Sequence, residues 1–333
     1  MKNICIIGAG SIGGFIGTRL AATGQTAVSA IARGATLDAL RTHGWRLRQG
    51  DQLLQAPVAA ASAQAADLGV QDLVIIAVKG PALSQVARDI APLLGPDTVV
   101  LPAMNGVPWW FIEGRAGLGD APLDSVDPGG LIRAAIPLRH VLGCVVHAST
   151  ASPEPGLVQH RMGQGLIVGE PLGGHSDRCA KVAALLAAAG FEVTDSADVR
   201  ADIWYKLWGN LTMNPISALT GATIDRVLAD PLTRQFCTDA MAEAALIGER
   251  IGCHIAQRPE DRHLVTARLG AFKTSMLQDV EAGRPIELDA IVTAVRDIGQ
   301  RVGLPTPQID ILLGLTRLFA RVHGLYPEAA APT

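Results

Sequence analysis

The sequence predicts an α/β domain built on a parallel sheet, followed by an all-α domain. The first 80 residues alternate short, fully apolar segments with helical segments, which is typical of a parallel sheet covered by helices on both faces. A glycine-rich turn joins the first strand to the first helix. From about residue 198 the strand-like segments stop, and helical periodicity continues toward the end of the chain.

The predicted strands of the first domain are short and rich in Ile, Val and Leu. They are NICIIG, TAVSAIAR, QDLVIIAVK and DTVVLPA, and the helices SIGGFIGTRLAATG and ATLDALRTHG follow the first two. Two later segments, HVLGCVVHAST and LVQHR to GLIVGEP, are typical of strands in a mixed sheet, and 179–198 predicts a helix and a last strand. Segment 107–140 is rich in Gly and Pro, which predicts a long loop or insertion.

The second domain is predicted to contain only helices. They cover 201–213, 230–252, 260–280, 287–302 and 307–323. Pro215 disfavours α-geometry at the residue before it, so we expect the first of these helices to bend or end there. A boundary near residue 197 gives domains 1–197 and 198–326, and the final PEAAAPT is typical of a frayed tail.

The composition favours a soluble, cytoplasmic protein with a small-molecule partner. Of 333 residues 49% are hydrophobic and 18% charged, and the net charge of −3 gives no reason to expect nucleic acid or an anionic membrane as partner. Five scattered cysteines without CxxC and eight histidines without HExxH predict neither a metal site nor a disulfide framework. The N-terminus is not typical of a signal peptide, and no apolar segment reaches the roughly 20 residues that span a bilayer.

The turn after the first strand, Gly8-Ala9-Gly10-Ser11-Ile12-Gly13, fits the dinucleotide-binding pattern G-x-G-x-x-G. The first glycine permits a tight turn, the second lets the backbone approach a pyrophosphate, and the third lets the helix pack closely on the strand. The N-terminus of the helix then faces the phosphate charge. All six residues are predicted to bind the cofactor; the alternative is a packing turn without a ligand.

The residue that ends the second strand indicates which dinucleotide binds. NAD sites usually place Asp or Glu there, whereas this strand ends in Arg33, with no acid nearby. A guanidinium suits a 2′-phosphate, so we predict NADPH/NADP⁺; the alternative is a solvated loop arginine. Lys79 ends a strand at the carboxyl edge where ligands bind, and is predicted to reach the cofactor; the alternative is a surface lysine.

One helical segment of the second domain carries an unusual set of polar groups. Its apolar face consists of Trp204, Leu207, Trp208 and Leu211. Lys206, Asn210 and Asn214 are four residues apart and share another side, and no other charged residue occurs between Lys206 and Asp225. Periodicity alone leaves two interpretations open: a catalytic amine with two substrate-binding amides, or a buried lysine beside amides that cap backbone groups.

The sequence resembles the ketopantoate reductases, the NADPH-dependent 2-dehydropantoate 2-reductases, over nearly the whole chain. The motifs that carry the resemblance are GAGSIGG at 8–14, VK at 78–79, NG at 105–106, KLWGNLTMNPISALTG at 206–221, SMLQDVEAGRPIELDAI at 275–291 and GLPTP at 303–307. The resemblance implies an N-terminal Rossmann domain, a C-terminal helical domain, and an active site in the cleft between them. It also implies reduction of 2-dehydropantoate to (R)-pantoate in pantothenate and coenzyme A biosynthesis.

The resemblance assigns roles to the polar stripe of the second domain. Lys206 matches the family's catalytic lysine, and Asn210 and Asn214 match its substrate-binding amides. An ammonium group can polarise a ketone and then protonate its oxygen, while the cofactor carries the hydride. A catalytic role for Lys206 is therefore favoured over a structural one.

Three further residues are assigned by the same resemblance. Asn105 matches an asparagine near substrate and nicotinamide, and Ser275 matches a serine that contacts the substrate carboxylate. Glu287 matches the acid of the family's TEID segment, here IELD, and is predicted to act in catalysis and to contact the cofactor. Its alternative is an acid that stabilises a helix start. Asp279 and Asp289 are predicted to be structural.

Departures from the family pattern leave the substrate open. Val292 stands where Asn is common, and MNG followed by VPWW replaces QNG. Trp109 and Trp110 could cover a substrate pocket, although plain packing is favoured. The alternatives are a reductase of another small, branched 2-keto acid and a catalytically silent NADP(H)-binding protein. A homodimer also stays open.

Overall fold

The computed structural model describes residues 1–115 and 117–328, which form two compact units. The first unit comprises Met1–Phe111 and Asp127–Asp202, and the second comprises Ile112–Val126 and the residues from Ile203 onward. The end of the predicted C-terminal tail, 329–333, lies outside the described residues. Within the described part of the chain, no helix combines the length and the apolar character that a bilayer crossing requires.

The first unit contains the predicted parallel sheet, in the spatial order β5-β2-β1-β6-β7. Its strands are β1 (Asn3–Ile7), β2 (Ala27–Ile31), β5 (Ala61–Ser62), β6 (Leu73–Ile76) and β7 (Val99–Pro102). The helices α1 (Ser11–Ala22), α2 (Gly34–His43) and α3 (Gly80–Asp89) follow β1, β2 and β6. All residues of β6 and β7 are buried, which explains their continuous apolar sequences. The sequence prediction lacked α3.

A second, mixed sheet completes the first unit. Its strands are β3 (Trp45–Gln49), β4 (Gln52–Ala56), β8 (Gly143–Glu154), β9 (Leu157–Gly169) and β10 (Glu192–Ser196). β3 and β10 run parallel to β9, whereas β8 pairs with β9 in antiparallel fashion, so the sheet is mixed as predicted. The β3–β4 hairpin is missing from the prediction, although its two-residue Gly50-Asp51 turn is a known hairpin sequence. The short α4 (Leu131–Ala135) and α5 (Asp177–Ala188) lie outside the sheets.

Helix α1 packs against strands of both sheets, and its glycines make this packing close. A Cβ atom at Gly17 would lie 2.6 Å from the ring of Trp45, and one at Gly14 would lie 2.6 Å from Cγ2 of Val158. A glycine inside a helix costs about 0.5–1 kcal/mol relative to alanine. The approach of the second sheet therefore explains why this helix tolerates several glycines.

The second unit is helical, so the predicted fold class is confirmed. Its helices are α6 (Val199–Thr220, which starts in the first unit), α7 (Ile224–Ala229), α8 (Pro231–Arg250), α9 (Pro259–Ala267), α10 (Ser275–Glu281), a π-helical turn (Asp289–Thr293), α11 (Ala294–Arg301) and α12 (Pro307–Val322). The helix predicted over 260–280 is in fact two, because Gly270 has a φ of 62° and the side chain of Thr274 caps α10 by accepting a hydrogen bond from the Leu277 amide at 3.1 Å.

Helix α6 does not end at Pro215, although an end there was one of the two predicted outcomes. It continues to Thr220 with the proline inside it. A proline in a helix interior costs about 3 kcal/mol. Met213 and Ile216, on either side of Pro215, lie in a buried cluster with residues of α7, α8 and α12, and this burial offsets the cost.

Part of the predicted insertion 107–140 belongs to the second unit. Nη1 of Arg301 donates hydrogen bonds to the carbonyls of Leu118 (3.3 Å) and Ala121 (2.7 Å), and its Nη2 donates to that of Pro122. Arg115 donates to the carbonyl of Ile251. Two arginines thus attach the segment Ile112–Val126 to the helices, which sequence periodicity could not indicate.

Arg301→Met should release this segment while keeping the aliphatic stem. Loss of hydrogen bonds from a charged donor should lower the free energy of unfolding by about 1–3 kcal/mol and accelerate amide hydrogen exchange in peptides covering 112–126. Arg258→Met is the matched control, because Arg258 is exposed and pairs with Asp261, three residues further along the chain. Unchanged exchange at 112–126 in Arg301→Met would contradict the assignment.

Candidate active site

Four neighbouring strands of the parallel sheet end in predicted cofactor residues. Along the carboxyl edge, Arg33 follows β2, the glycine turn follows β1, Lys79 follows β6, and Asn105 follows β7. Strands in a sheet are about 4.8 Å apart, so these four ends cover about 14 Å. The edge therefore offers an extended row of contacts, suited to a long ligand such as a dinucleotide.

The glycine turn has the geometry that the pattern predicts. Gly8 has a φ of 90°, and a Cβ atom there would lie 2.9 Å from the carbonyl oxygen of Ala77. A Cβ atom at Gly13 would lie 2.0 Å from the carbonyl oxygen of Gly8, whereas one at Gly10 would meet no atom within 4 Å. The first and third glycines are thus required by the turn and by helix packing, and the second leaves its surroundings open to a ligand.

The N-terminus of α1 is free of competing anions. Gly10 is its N-cap residue and offers no side-chain hydrogen bond, and the first turn, with Ser11 and Ile12, contains no acidic residue. Amide groups in the first turn of a helix lack intrahelical acceptors and carry partial positive charge. This end of the helix therefore fits a pyrophosphate.

A cavity of about 240 Å³ lies beside Gly8. Residues from the ends of β1 and β2 and from helix α3 line it, together with Ala63 and Ala65, mostly with Ile, Val and Ala side chains. Arg33, Gln85 and Asp89 are its polar lining residues. A flat, weakly polar ring such as adenine fits an apolar cavity of this kind, with its ribose substituents near the polar side chains. The first unit therefore fits a dinucleotide cofactor.

An acid lies near Arg33, contrary to the sequence interpretation. Nη2 of Arg33 is 3.8 Å from Oδ2 of Asp89, the last residue of α3, and both side chains are largely exposed. Sequence reasoning missed Asp89 because it missed α3. The pattern was available: Pro81 stands in the first turn, and Leu83, Val86 and Ala87 form an apolar face.

Helix α6 carries the predicted stripe of polar groups in the second unit. Lys206 and Asn210 are half-buried, and Asn214 is buried. On the apolar side, Nε1 of Trp208 donates to the carbonyl of Met241 at 2.7 Å, and Nε1 of Trp204 donates to that of Ala244 at 3.2 Å. Both acceptors belong to α8, so these bonds fix the rotation of α6 about its axis, and with it the direction of the polar stripe.

The remaining predicted residues of the second unit lie at helix starts. Ser275 is the exposed first residue of α10, and Glu287 is half-buried directly before the helical segment that begins at Leu288. Ser275 was predicted inside one helix over 260–280, and its place at a helix start follows from the division of that helix into α9 and α10. The helix start beside Glu287 agrees with the predicted helix over 287–302.

The two acids predicted to be structural have structural partners. Asp279 is buried and accepts a hydrogen bond from Nε of Arg284 at 3.1 Å. Asp289 accepts from the hydroxyl of Tyr326 at 2.6 Å and from that of Thr293 at 3.0 Å. Burial, together with this bond to Asp289, raises the pKa of the Tyr326 hydroxyl.

Trp109 and Trp110 are almost completely buried. The guanidinium of Arg200 lies 5.7 Å from the ring centroid of Trp110, and a Cβ atom at Gly143 would lie 3.1 Å from that ring. These neighbours belong to the first unit. Plain packing, the favoured interpretation of the pair, agrees with this burial.

Comparisons with known proteins give one consistent result. The family models Ketopantoate reductase PanE/ApbA and Ketopantoate reductase PanE/ApbA C terminal match residues 4–173 and 198–320. A 2-dehydropantoate 2-reductase from Mesorhizobium japonicum is 44% identical over 324 residues, 97% of this chain and 99% of that protein. A crystal structure from Ralstonia solanacearum MolK2, provisionally assigned as a ketopantoate reductase, is 56% identical with a TM-score of 0.94, covering 98% of this chain and 100% of that one.

A second solved structure, 2-dehydropantoate 2-reductase from Methylococcus capsulatus, is 26% identical with a TM-score of 0.81 and covers 96% of this chain and 97% of that one. The fold and the glycine turn define a two-domain oxidoreductase that uses a nicotinamide cofactor. This chain belongs to the ketopantoate reductase family, which confirms the resemblance that its motifs carry.

Gly13→Ala should destabilise the first unit strongly, because its Cβ would meet a backbone oxygen that cannot rotate away. We expect the free energy of unfolding to fall by about 3 kcal/mol or more. Gly10→Ala is the matched control, since its Cβ would meet open space, and it should cost under about 1 kcal/mol. Equal losses for the two variants in denaturant titrations would contradict the packing role of Gly13.

Proposed function

We propose that this protein reduces 2-dehydropantoate to (R)-pantoate with NADPH, in pantothenate and coenzyme A biosynthesis. Family membership and 44% identity to a 2-dehydropantoate 2-reductase over 97% of the chain support the reaction. The observation that carries the proposal is the half-buried Lys206 on α6, aligned with two amides. A protein that only bound the cofactor would need the glycine turn but not this stripe.

In this proposal, residues 1–197 hold the cofactor and residues 198–326 supply the catalytic groups. When bound, the nicotinamide ring supplies the hydride. The glycine turn from Gly8 to Gly13 contacts the pyrophosphate, Arg33 the 2′-phosphate, and Lys79 the ribose or phosphate groups. Asn105, at the other end of the strand row from Arg33, lies at the nicotinamide end.

Lys206 is the proposed acid. Its ammonium group donates a hydrogen bond to the 2-oxo oxygen, which polarises the carbonyl, and then transfers a proton as negative charge develops on that oxygen. Between Lys206 and Asp225 the chain carries no other charged residue, and Asp202 is the acid one turn before Lys206 on α6. Glu287 accepts a hydrogen bond from the lysine or substrate and also contacts the cofactor.

Neutral groups hold the substrate in the proposed site. Asn210 and Asn214 lie one and two turns beyond Lys206 and bind hydroxyl and carbonyl oxygens without adding charge. Ser275 contacts the substrate carboxylate from the start of α10. The positions of these groups orient the ketone for attack, which contributes to the rate through proximity.

Lys206→Ala should lower kcat for 2-dehydropantoate reduction by about three orders of magnitude or more, because the developing charge loses its acid and its cation. The Kd for NADPH should change little. Lys273→Ala is the matched control: this exposed lysine of the second unit pairs with Glu281 at 2.6 Å, and its loss should leave NADPH oxidation unchanged. Full activity in Lys206→Ala would remove Lys206 from the mechanism.

A panel of 2-keto acids tests the substrate. The fold alone does not select it, because D-mandelate dehydrogenase shares the fold at a TM-score of 0.82 and 20% identity. We expect the highest kcat/KM with 2-dehydropantoate. A clearly higher value with another small, branched 2-keto acid would favour the alternative activity, and NADPH binding without turnover of any member would favour a silent binding protein.

Arg33→Ala tests the cofactor. Loss of a charge-assisted contact to the 2′-phosphate should raise the KM for NADPH by about 10- to 100-fold, with a small effect on NADH. Arg48→Ala, an exposed arginine on β3, is the control and should leave both values unchanged. A wild-type protein that prefers NADH would contradict the assignment of Arg33.

We place the protein in the cytoplasm and propose a homodimer formed by the helical unit. One side of α12 exposes apolar side chains at helical spacing: Ile311, Leu315, Leu318 and Val322. Exposed apolar stripes of this kind favour association with another protein surface. Light scattering on a size-exclusion column would measure the mass, and a monomer at all concentrations would contradict the proposal.

A further inference from the structure

Asp89 occupies an unusual position for an acid. It is the last residue of α3, where the helix dipole disfavours a negative charge, so helix stability does not account for it. It lines the cavity beside Gly8 together with Arg33, and its Oδ2 lies 3.8 Å from Nη2 of Arg33. The only cation that the cofactor proposal assigns to the 2′-phosphate therefore already has an anionic neighbour.

Two neighbours on α3 orient the carboxylate of Asp89. Nε2 of Gln85 donates to Oδ2 of Asp89 at 2.8 Å, and Nη2 of Arg88 donates to Oε1 of Gln85 at 2.8 Å. Gln85, one turn before Asp89, also lines the cavity. These bonds restrict the Asp89 side chain to a conformation that lines the cavity, although half of the side chain stays exposed.

The charge of Asp89 has opposite consequences for the two nicotinamide cofactors. A 2′-phosphate carries roughly two negative charges at neutral pH. Such a group beside Arg33 must replace Asp89 as the partner of the guanidinium and approach a carboxylate of like charge. A 2′-hydroxyl is uncharged, so it neither displaces Asp89 from Arg33 nor is repelled by the carboxylate. It can also donate a hydrogen bond to that carboxylate, as ribose hydroxyls do at the acid of NAD sites.

We propose that Asp89 is a specificity-determining residue that competes with the 2′-phosphate for Arg33 and so limits the preference of this protein for NADPH over NADH. Asp89 acts through Arg33 and is a positioning residue in this sense. The inference rests on the proposed function, in which Arg33 binds the 2′-phosphate. The binding of the 2′-phosphate by Arg33 and the size of the preference for NADPH are separate properties, and Asp89 is proposed to set the second.

Asp89→Asn keeps the shape of the side chain and removes its charge. Dissociation constants for NADPH and NADH, measured by calorimetry on the full-length protein without substrate, give the ratio Kd(NADH)/Kd(NADPH). We expect this ratio to rise by about three- to tenfold at low salt, mainly through tighter NADPH binding. Asp97→Asn is the matched control, because Asp97 is exposed before β7, at the opposite edge of the sheet; it should leave the ratio unchanged. An unchanged or lower ratio in Asp89→Asn would overturn the inference.

Two further measurements test the cause. The rise of the ratio Kd(NADH)/Kd(NADPH) caused by Asp89→Asn should be smaller in 0.5 M KCl, because exposed charges are screened over a few ångströms at that ionic strength. The effect of Asp89→Asn on this ratio should also be much smaller in an Arg33→Ala background, because no guanidinium remains for the phosphate and the carboxylate to bind. An effect that is independent of salt, or equal in both backgrounds, would overturn competition for Arg33.

Failure of the inference differs from failure of the proposed function. If wild-type protein binds NADH as tightly as NADPH and Arg33→Ala changes neither constant, the 2′-phosphate role of Arg33 fails. If Arg33→Ala weakens NADPH binding while Asp89→Asn leaves the ratio unchanged, only the role of Asp89 fails. Adenosine 2′,5′-bisphosphate and 5′-AMP, used as probes in the same titrations, confine the comparison to the 2′-phosphate.

Discussion

The close contact between the two ends of the glycine turn is the constraint on which the first unit depends. The carbonyl oxygen of Gly8 occupies the space that a Cβ atom at Gly13 would need, so α1 can approach β1 only with glycine there. Gly14 and Gly17 continue this small surface toward Val158 and Trp45. These glycines therefore let α1 pack closely against strands of both sheets. The same packing places the N-terminus of α1 at the strand edge, where it fits a phosphate group.

The helical unit orients its polar stripe by a different means. Trp204 and Trp208 each donate one hydrogen bond to a carbonyl of α8, and their rings are buried. These contacts determine which way the opposite side of α6 points. Burial of Met213 and Ile216 accompanies the continuation of the helix past Pro215. Lys206 and the amides thus belong to a rigid element rather than to a loop, which suits the roles proposed for them.

In the proposed function, cofactor recognition depends on side chains from separate segments. Arg33 follows β2, whereas Asp89 ends α3, and the two meet beside one cavity. Because both are exposed, each contributes modestly, and their balance can change with salt or with a single substitution. In our proposal, such a pair adjusts which form of the nicotinamide cofactor the protein prefers.

The sequence by itself determined the fold class, the glycine turn, and the alignment of Lys206 with Asn210 and Asn214, because these depend on local spacing along the chain. Its motifs also indicated the family. Only the tertiary structure decided that α6 continues through Pro215, that Ile112–Val126 belongs with the helices, and that Asp89 lies beside Arg33. These features depend on burial and on contacts between residues far apart in sequence, where packing energies override local preference.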